Sequence, residues 1–190
     1  VTDKKISGGA SAEYYYQQMN TKFPGTPYTL DAKSTLAVEY INTAQEKINR
    51  YLGCGDDQSV KEKRENFEAG NNLEKAIALV REDDSEFANS LLGRMYFLKA
   101  SGDFGSGAAN GELATAFQYA HAALRRDPNG AYIQNKLALL HLQNNRTDSA
   151  RYYAEKATKT APNWLCALTT LALVQKALSY KSDPLKDKLL

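Results

Sequence analysis

Two proline-containing stops lie one fixed interval apart in the second half of this chain. The first is Asp127-Pro128-Asn129 and the second is Ala161-Pro162-Asn163, so equivalent prolines are 34 residues apart (162 − 128 = 34). A period of this length, with two helices and a proline stop in each unit, is typical of arrays of helical hairpins. Each hairpin buries its apolar side only by stacking on its neighbours, so the period predicts an all-α chain.

Small residues recur at fixed places within the unit that ends at Pro162. They are Ala138, Ala150 and Ala157. This arrangement resembles the tetratricopeptide repeat family, with a match that extends from about Glu86 to Ala177. The resemblance implies a right-handed array of antiparallel helical hairpins, in which the small residues lie where helices cross at roughly 8–10 Å.

Three positions depart from the family pattern. Asn145 occupies the turn between the two helices, where the family prefers glycine. Asparagine enters the left-handed backbone region at modest cost, so we expect the turn to be kept. The other departures are His141, where the family usually has an aromatic residue, and Ala154, where it has Phe or Tyr.

The chain is predicted to have three parts. Residues 1–11 are small and polar and are expected to form a flexible tail, and residues 12–84 form an N-terminal helical region that is a degenerate repeat or a capping element. Residues 85–190 form the array, with a glycine-rich loop insertion at 100–110 and a C-terminal capping helix that starts near Asp183.

The N-terminal region contains a long amphipathic helix and a pattern typical of a hairpin. The long helix is predicted to begin at Asp31 or Ser34 and to end near Leu52, and the hairpin is predicted to break at Gly70-Asn71-Asn72. Tyr14, Tyr15 and Tyr16 cannot all face one side of a helix, so we expect at least one of them to pack against this region.

The charge balance argues against a nucleic-acid partner. The chain has 24 basic and 22 acidic residues, for a formal net charge of +2. Its densest basic cluster, Lys61, Lys63 and Arg64, is interrupted by glutamates and is typical of a solvated helix face. No stretch is apolar enough to span a membrane. A protein or peptide partner is therefore expected, and self-association is left open.

The sequence lacks the residue patterns of an enzyme. His121 and His141 are the only histidines, neither has metal-ligand spacing, and no cofactor is expected. If the repeat register holds, Cys166 and His141 are offset by about 13 Å along their helices, too far for a thiol–imidazole pair. Cys54 and Cys166 lie 112 residues apart, and the sequence alone does not pair them.

The resemblance implies a concave groove lined by the first helix of each hairpin. Its predicted lining combines apolar and aromatic side chains with a few polar ones, which suits a bound peptide or helix. The predicted groove residues are Phe87, Ser90, Arg94, Phe97, Leu98, Tyr132, Asn135, Leu139, Gln143, Thr169, Leu173 and Lys176. An alternative is that several of them, notably Leu139, are buried between repeats and contact no ligand.

The functional hypothesis is a protein-binding scaffold within a larger bacterial envelope assembly, located in the periplasm or cell envelope, with a cytoplasmic location as the alternative. Two other hypotheses are kept. One is a helical accessory region of a larger enzyme or receptor, since the start at Val1 is compatible with processing or excision from a longer chain. The other is a glycan-binding envelope protein that uses Tyr14, Tyr15, Tyr16 and Tyr28 as an aromatic platform.

Overall fold

The computed structural model describes residues 11–55, 59–80, 85–102 and 109–181. Over these ranges the structure consists of α-helices and the turns between them, which confirms the predicted all-α class. The helices are α1 (Ala12–Lys22), α2 (Pro27–Leu52), α3 (Val60–Leu79), α4 (Ser85–Ser101), α5 (Ala109–Arg126), α6 (Ala131–Gln143), α7 (Thr147–Thr160) and α8 (Leu165–Lys181).

The first two helices begin at side-chain caps. Ser11 is buried and its hydroxyl accepts a hydrogen bond from the Tyr14 amide, so this residue caps α1 and does not belong to the predicted tail. Thr26 caps α2 and Pro27 occupies its first turn. The predicted start at Asp31 or Ser34 was therefore wrong, because a proline is favoured in the first turn of a helix and α2 begins at Pro27. Residues 1–10 lie outside the described ranges.

Helix α3 runs without a break through Gly70, so the predicted interruption at Gly70-Asn71-Asn72 was also wrong. Gly70 is buried where α3 crosses α4. A Cβ atom on Gly70 would lie 2.8 Å from Cγ of Lys99 and 3.3 Å from the carbonyl oxygen of Met95. The glycine therefore permits close approach of two helices and does not form a turn.

The predicted insertion at 100–110 is shorter than expected, because both of its ends are helical. Ala100 and Ser101 belong to α4, and α5 already begins at Ala109. Residues 103–108 lie outside the described ranges, as does the predicted capping helix beyond Lys181. Asn145 has φ of 54°, which confirms the expected left-handed turn between α6 and α7.

Consecutive helices pack against one another along the chain, and α6 also packs against α8. The contact among α6, α7 and α8 is made by fully buried small residues, Ala138, Ala150 and Ala154, together with Val174. At the other end, Tyr16 packs against the cluster that contains Tyr40, which confirms that one tyrosine of the triplet faces inward. None of the described helices is long and apolar enough to cross a lipid bilayer.

Candidate functional site

The twelve predicted groove residues lie on three helices, α4, α6 and α8. The centre of this face is covered by the chain itself. The last turn of α2 brings Tyr51 onto it, so that the Tyr51 and Phe97 rings meet edge to face with centroids 5.0 Å apart. Asn135 Nδ2 donates a hydrogen bond to the Tyr51 hydroxyl at 3.0 Å. Phe97 and Asn135 are consequently buried within the molecule.

A tight turn ends α2 and holds Tyr51 in this place. The amides of Gly53 and Gly55 donate to the carbonyls of Asn49 and Arg50, at 2.9 Å in both cases. Between the two glycines, Cys54 has φ of 61°, in the left-handed region that a residue with a Cβ enters at a cost of about 1–2 kcal/mol. The glycine-flanked turn therefore ends α2 and places Cys54 beside the start of α8.

A disulfide joins this turn to α8. Cys54 and Cys166 are bonded, with their Cα atoms 5.5 Å apart, so the pairing that the sequence left open is settled. Next to the disulfide, Trp164 Nε1 donates to the Leu52 carbonyl at 2.7 Å, and the Trp164 ring lies 6.0 Å from that of Tyr51. The end of α2 is thus attached to the start of α8 by a covalent bond, a hydrogen bond and an aromatic contact.

Two cavities flank the covered centre. One, which we call the arginine cavity, measures about 480 Å³ and is lined by Ser90, Arg94, Arg126 and Tyr132 among others. Arg94 Nη1 donates to Gln45 Oε1 at 3.0 Å. Burial, reinforced by the nearby Asp127 carboxylate, raises the pKa of Tyr132 to about 12, so this phenol stays protonated at neutral pH. Carboxylates of Glu86 and Asp127 also line the arginine cavity, so it carries both signs of charge.

The other cavity, which we call the groove cavity, lies between α6 and α8 beside the disulfide. It measures about 350 Å³ and its lining includes four predicted groove residues, Asn135, Leu139, Gln143 and Thr169. Asn135 Oδ1 is buried without a hydrogen-bond partner. Leu165, at the start of α8, is 66% exposed and also belongs to the lining. The groove cavity therefore combines apolar walls with polar groups that can bond to a peptide backbone.

The remaining predicted residues lie apart from both cavities. Leu98 is buried in the core. Phe87, Leu173 and Lys176 are exposed and line neither cavity, and the Lys176 ammonium lies 5.8 Å from the centroid of the Tyr180 ring. Some of the predicted groove residues therefore line one of the two cavities, some lie in the covered centre or the core, and the others are exposed away from both cavities.

Sequence reasoning did not identify Tyr51 and Cys54 as residues of this face. Both come from α2 and the turn after it, outside the region that resembles the tetratricopeptide repeat. The sequence feature that could have indicated this contact is the pair of cysteines, each of which lies next to a predicted helix end. Their spacing in the sequence did not show that they are bonded to each other. Because Cys166 is oxidised, it carries no thiol for the cysteine–histidine pair that was disfavoured above.

In the part of the chain that the structure describes, no cluster of three or more His, Cys, Asp or Glu side chains could hold a metal ion. The groove cavity offers apolar contact, neutral hydrogen-bonding groups and one cationic side chain, the buried Lys136. Neither a protein-family model nor a curated protein sequence matches this chain.

Proposed function

We propose that this chain is a protein-interaction scaffold of tetratricopeptide-like hairpins, and that its groove cavity binds a peptide segment or helix of a partner protein. The observation that carries the proposal is the grouping of Leu139, Gln143 and Thr169, together with exposed Leu165, around one cavity of about 350 Å³. Peptide-binding grooves of this kind combine an apolar anchor site with a few hydrogen bonds that fix the register of the bound segment.

The lining of the groove cavity supports one anchor side chain rather than a long segment. Leu139 and Leu140 supply apolar surface, and Gln143 and Thr169 are exposed beside them. The buried Asn135 Oδ1 is an acceptor without a partner, and an N–H group from a bound segment would satisfy it. Because Tyr51 covers the centre of the face, the segment would contact α6 and α8 and would not extend onto Phe97 of α4.

A selection experiment tests this proposal. A random peptide library displayed on phage is selected on the disulfide-bonded protein, and the enriched peptide is then measured against Thr169→Arg, which places a long cationic side chain in the groove cavity. Affinity should fall about tenfold or more, since a change of 1.4 kcal/mol corresponds to a factor of ten.

The matched control is Leu173→Arg, which adds the same side chain to α8 at an exposed position outside the groove cavity. This variant should bind the enriched peptide as the wild type does. The proposal fails if no peptide is enriched, or if both variants bind equally well.

We also propose that the chain functions in an oxidising compartment, such as the periplasm or cell envelope, as part of a bacterial assembly. The disulfide between Cys54 and Cys166 supports this, because such bonds persist outside the reducing cytosol. Alkylation of free thiols in intact source cells should leave both cysteines unmodified, whereas complete modification without added reductant would refute the location.

A second candidate function, glycan binding, is favoured by an aromatic surface on α1 and the start of α2. Tyr14 and Tyr15 are 45% and 57% exposed with rings 5.5 Å apart, and Tyr28 is 80% exposed. Such rings offer stacking faces with polar tips. Tyr16 packs inward and would take no part. Retardation in a polysaccharide-containing gel should be lost in Tyr15→Ala and Tyr28→Ala if this candidate is correct.

A further inference from the structure

A third cavity lies away from the groove, among α5, α6 and the turn that leads to α7. It measures about 480 Å³, and we call it the histidine cavity. Its lining residues are Leu113, Ala114, Phe117, His121, His141, Asn144 and Arg146. The two histidines are the only ones in the chain, and the structure brings both to this cavity.

His141 is held there as a member of an aromatic stack. Its ring is parallel to that of Tyr153, with an interplanar angle of 8° and centroids 5.4 Å apart, and it lies 4.7 Å from the Phe117 ring. Only 7% of His141 is exposed, yet Nδ1 has no hydrogen-bond partner. A buried nitrogen without a partner at the edge of a cavity is a group that a ligand could satisfy.

Among the described side chains that line the histidine cavity, the charged group is Arg146. Arg146 is exposed, and it belongs to none of the ion pairs formed within the described ranges. The described side chains that line the cavity include donors from Asn144 and Arg146 but no acid. The cavity is therefore a surface with hydrogen-bond donors, one fixed positive charge and apolar walls.

The pKa values of both histidines are lowered in this environment. Burial lowers the pKa of His141, and the neighbouring His121 and Arg146 lower it further. Burial also lowers the pKa of His121, with Arg125 of α5 as the second cause. From α7, Tyr153 faces the stack as a neutral phenol, since burial raises its pKa. Both imidazoles are consequently neutral at pH 7 in the empty cavity.

We propose that the histidine cavity binds a small organic anion, whose carboxylate contacts Arg146 and the two imidazoles while its apolar body lies against Phe117 and Leu113. This site does not depend on the proposed function, because it shares no lining residue with the groove cavity. The apolar residues provide contact area, and the guanidinium provides a charge-assisted hydrogen bond.

The proposal has a definite pH dependence. A bound anion stabilises the protonated imidazoles and raises their pKa towards or above the ordinary value of about 6.5. Binding therefore takes up protons, and affinity for the anion increases as pH falls through that range. A neutral ligand of the same shape would not show this increase.

The test uses protein labelled with ¹⁵N in histidine, whose ring spectra contain signals from two imidazoles only. Benzoate is the probe, and benzamide is its neutral analogue of nearly the same shape. Benzoate should shift both ring signals in a saturable manner and should bind more tightly at mildly acidic pH. Benzamide should bind at least about tenfold more weakly, as expected for loss of a charge-assisted hydrogen bond.

Arg146→Gln removes the fixed charge and should reduce benzoate affinity by a similar factor. The matched control is Arg151→Gln, one turn into α7, where the native arginine pairs with Glu155 and does not line the cavity. The inference is overturned if benzoate causes no ring shift at tens of millimolar, if benzamide binds equally well, or if both arginine variants lose the same affinity.

Discussion

The two ends of the helical stack are packed in different ways. Among α6, α7 and α8 the contacts are made by small residues, and Ala138, Ala150 and Ala154 are completely buried. Among α2, α3 and α4 the core is built from large side chains, such as Tyr51, Leu73 and Phe97. The first kind of contact joins three consecutive helices. The cluster of Tyr51 and Phe97, in contrast, also includes Trp164, which lies 113 residues after Tyr51 (164 − 51 = 113).

This difference indicates which contacts stabilise each end of the molecule. The alanine contacts of α6 to α8 are made within three consecutive helices, so they need only elements that are close in sequence. The end of α2 is held by residues far along the chain, through the Cys54–Cys166 disulfide and the hydrogen bond from Asn135 to Tyr51. We therefore expect changes at the α2–α8 junction to destabilise the N-terminal end before the C-terminal end.

The largest expected effect is removal of the disulfide. In Cys54→Ala/Cys166→Ala the cross-link across 112 residues is lost, and the free energy of unfolding should fall by about 4 kcal/mol. Urea unfolding followed by circular dichroism measures this change. Reduced wild type should match the variant, and the variant should not respond to reductant. A loss below about 1 kcal/mol would mean that the aromatic contacts alone hold the junction.

A smaller effect is expected for Tyr51→Ala, at about 3 kcal/mol, because a nearly buried aromatic ring is deleted beside Phe97. Tyr51→Phe is the control, since it keeps the ring and removes the hydroxyl that accepts from Asn135; it should cost about 1 kcal/mol. Thermal or urea unfolding distinguishes the two. Equal losses would assign the contribution of Tyr51 to its hydrogen bond and contradict the packing argument.

The smallest effect tests the crossing of α3 and α4. Gly70→Ala should destabilise by about 1 kcal/mol, because the strain of a Cβ atom 2.8 Å from Lys99 Cγ exceeds the gain in helix propensity. Asn71→Ala, the next residue of α3, should instead stabilise by about 0.5 kcal/mol through propensity alone. If both variants are stabilised, α3 and α4 can separate without cost and Gly70 is not a packing residue.

Local sequence patterns predicted part of the packing between neighbouring helices. The buried alanines of α6 and α7 and the left-handed turn at Asn145 were predicted from the repeat. The start of α2 at Pro27 and the uninterrupted α3 at Gly70 were not. A proline can interrupt a helix or occupy its first turn, and a glycine can end a helix or allow another helix to pack closely against it. The local sequence is the same in both cases, so only the surrounding structure distinguishes them.

The candidate site, like the fold, was predicted only in part from the sequence. The repeat register predicted that Leu139, Gln143 and Thr169 share one face, and the groove cavity brings them together. It could not predict that Tyr51 covers Phe97, because Tyr51 lies on α2, outside the part of the chain to which the register applies. The meeting of His121 and His141 in one cavity was missed for a related reason, since His121 lies on α5 and His141 on α6.

The sequence by itself determined that this protein is all-helical and that Ala138, Ala150 and Ala157 are buried, because these properties follow from the spacing of residues along the helices. The tertiary structure alone decided that Cys54 pairs with Cys166, that the end of α2 covers the centre of the predicted groove, and which cavities remain on either side. The disulfide joins residues 112 positions apart and the hydrogen bond from Asn135 to Tyr51 joins residues 84 positions apart, and no local pattern encodes the path of the chain between them.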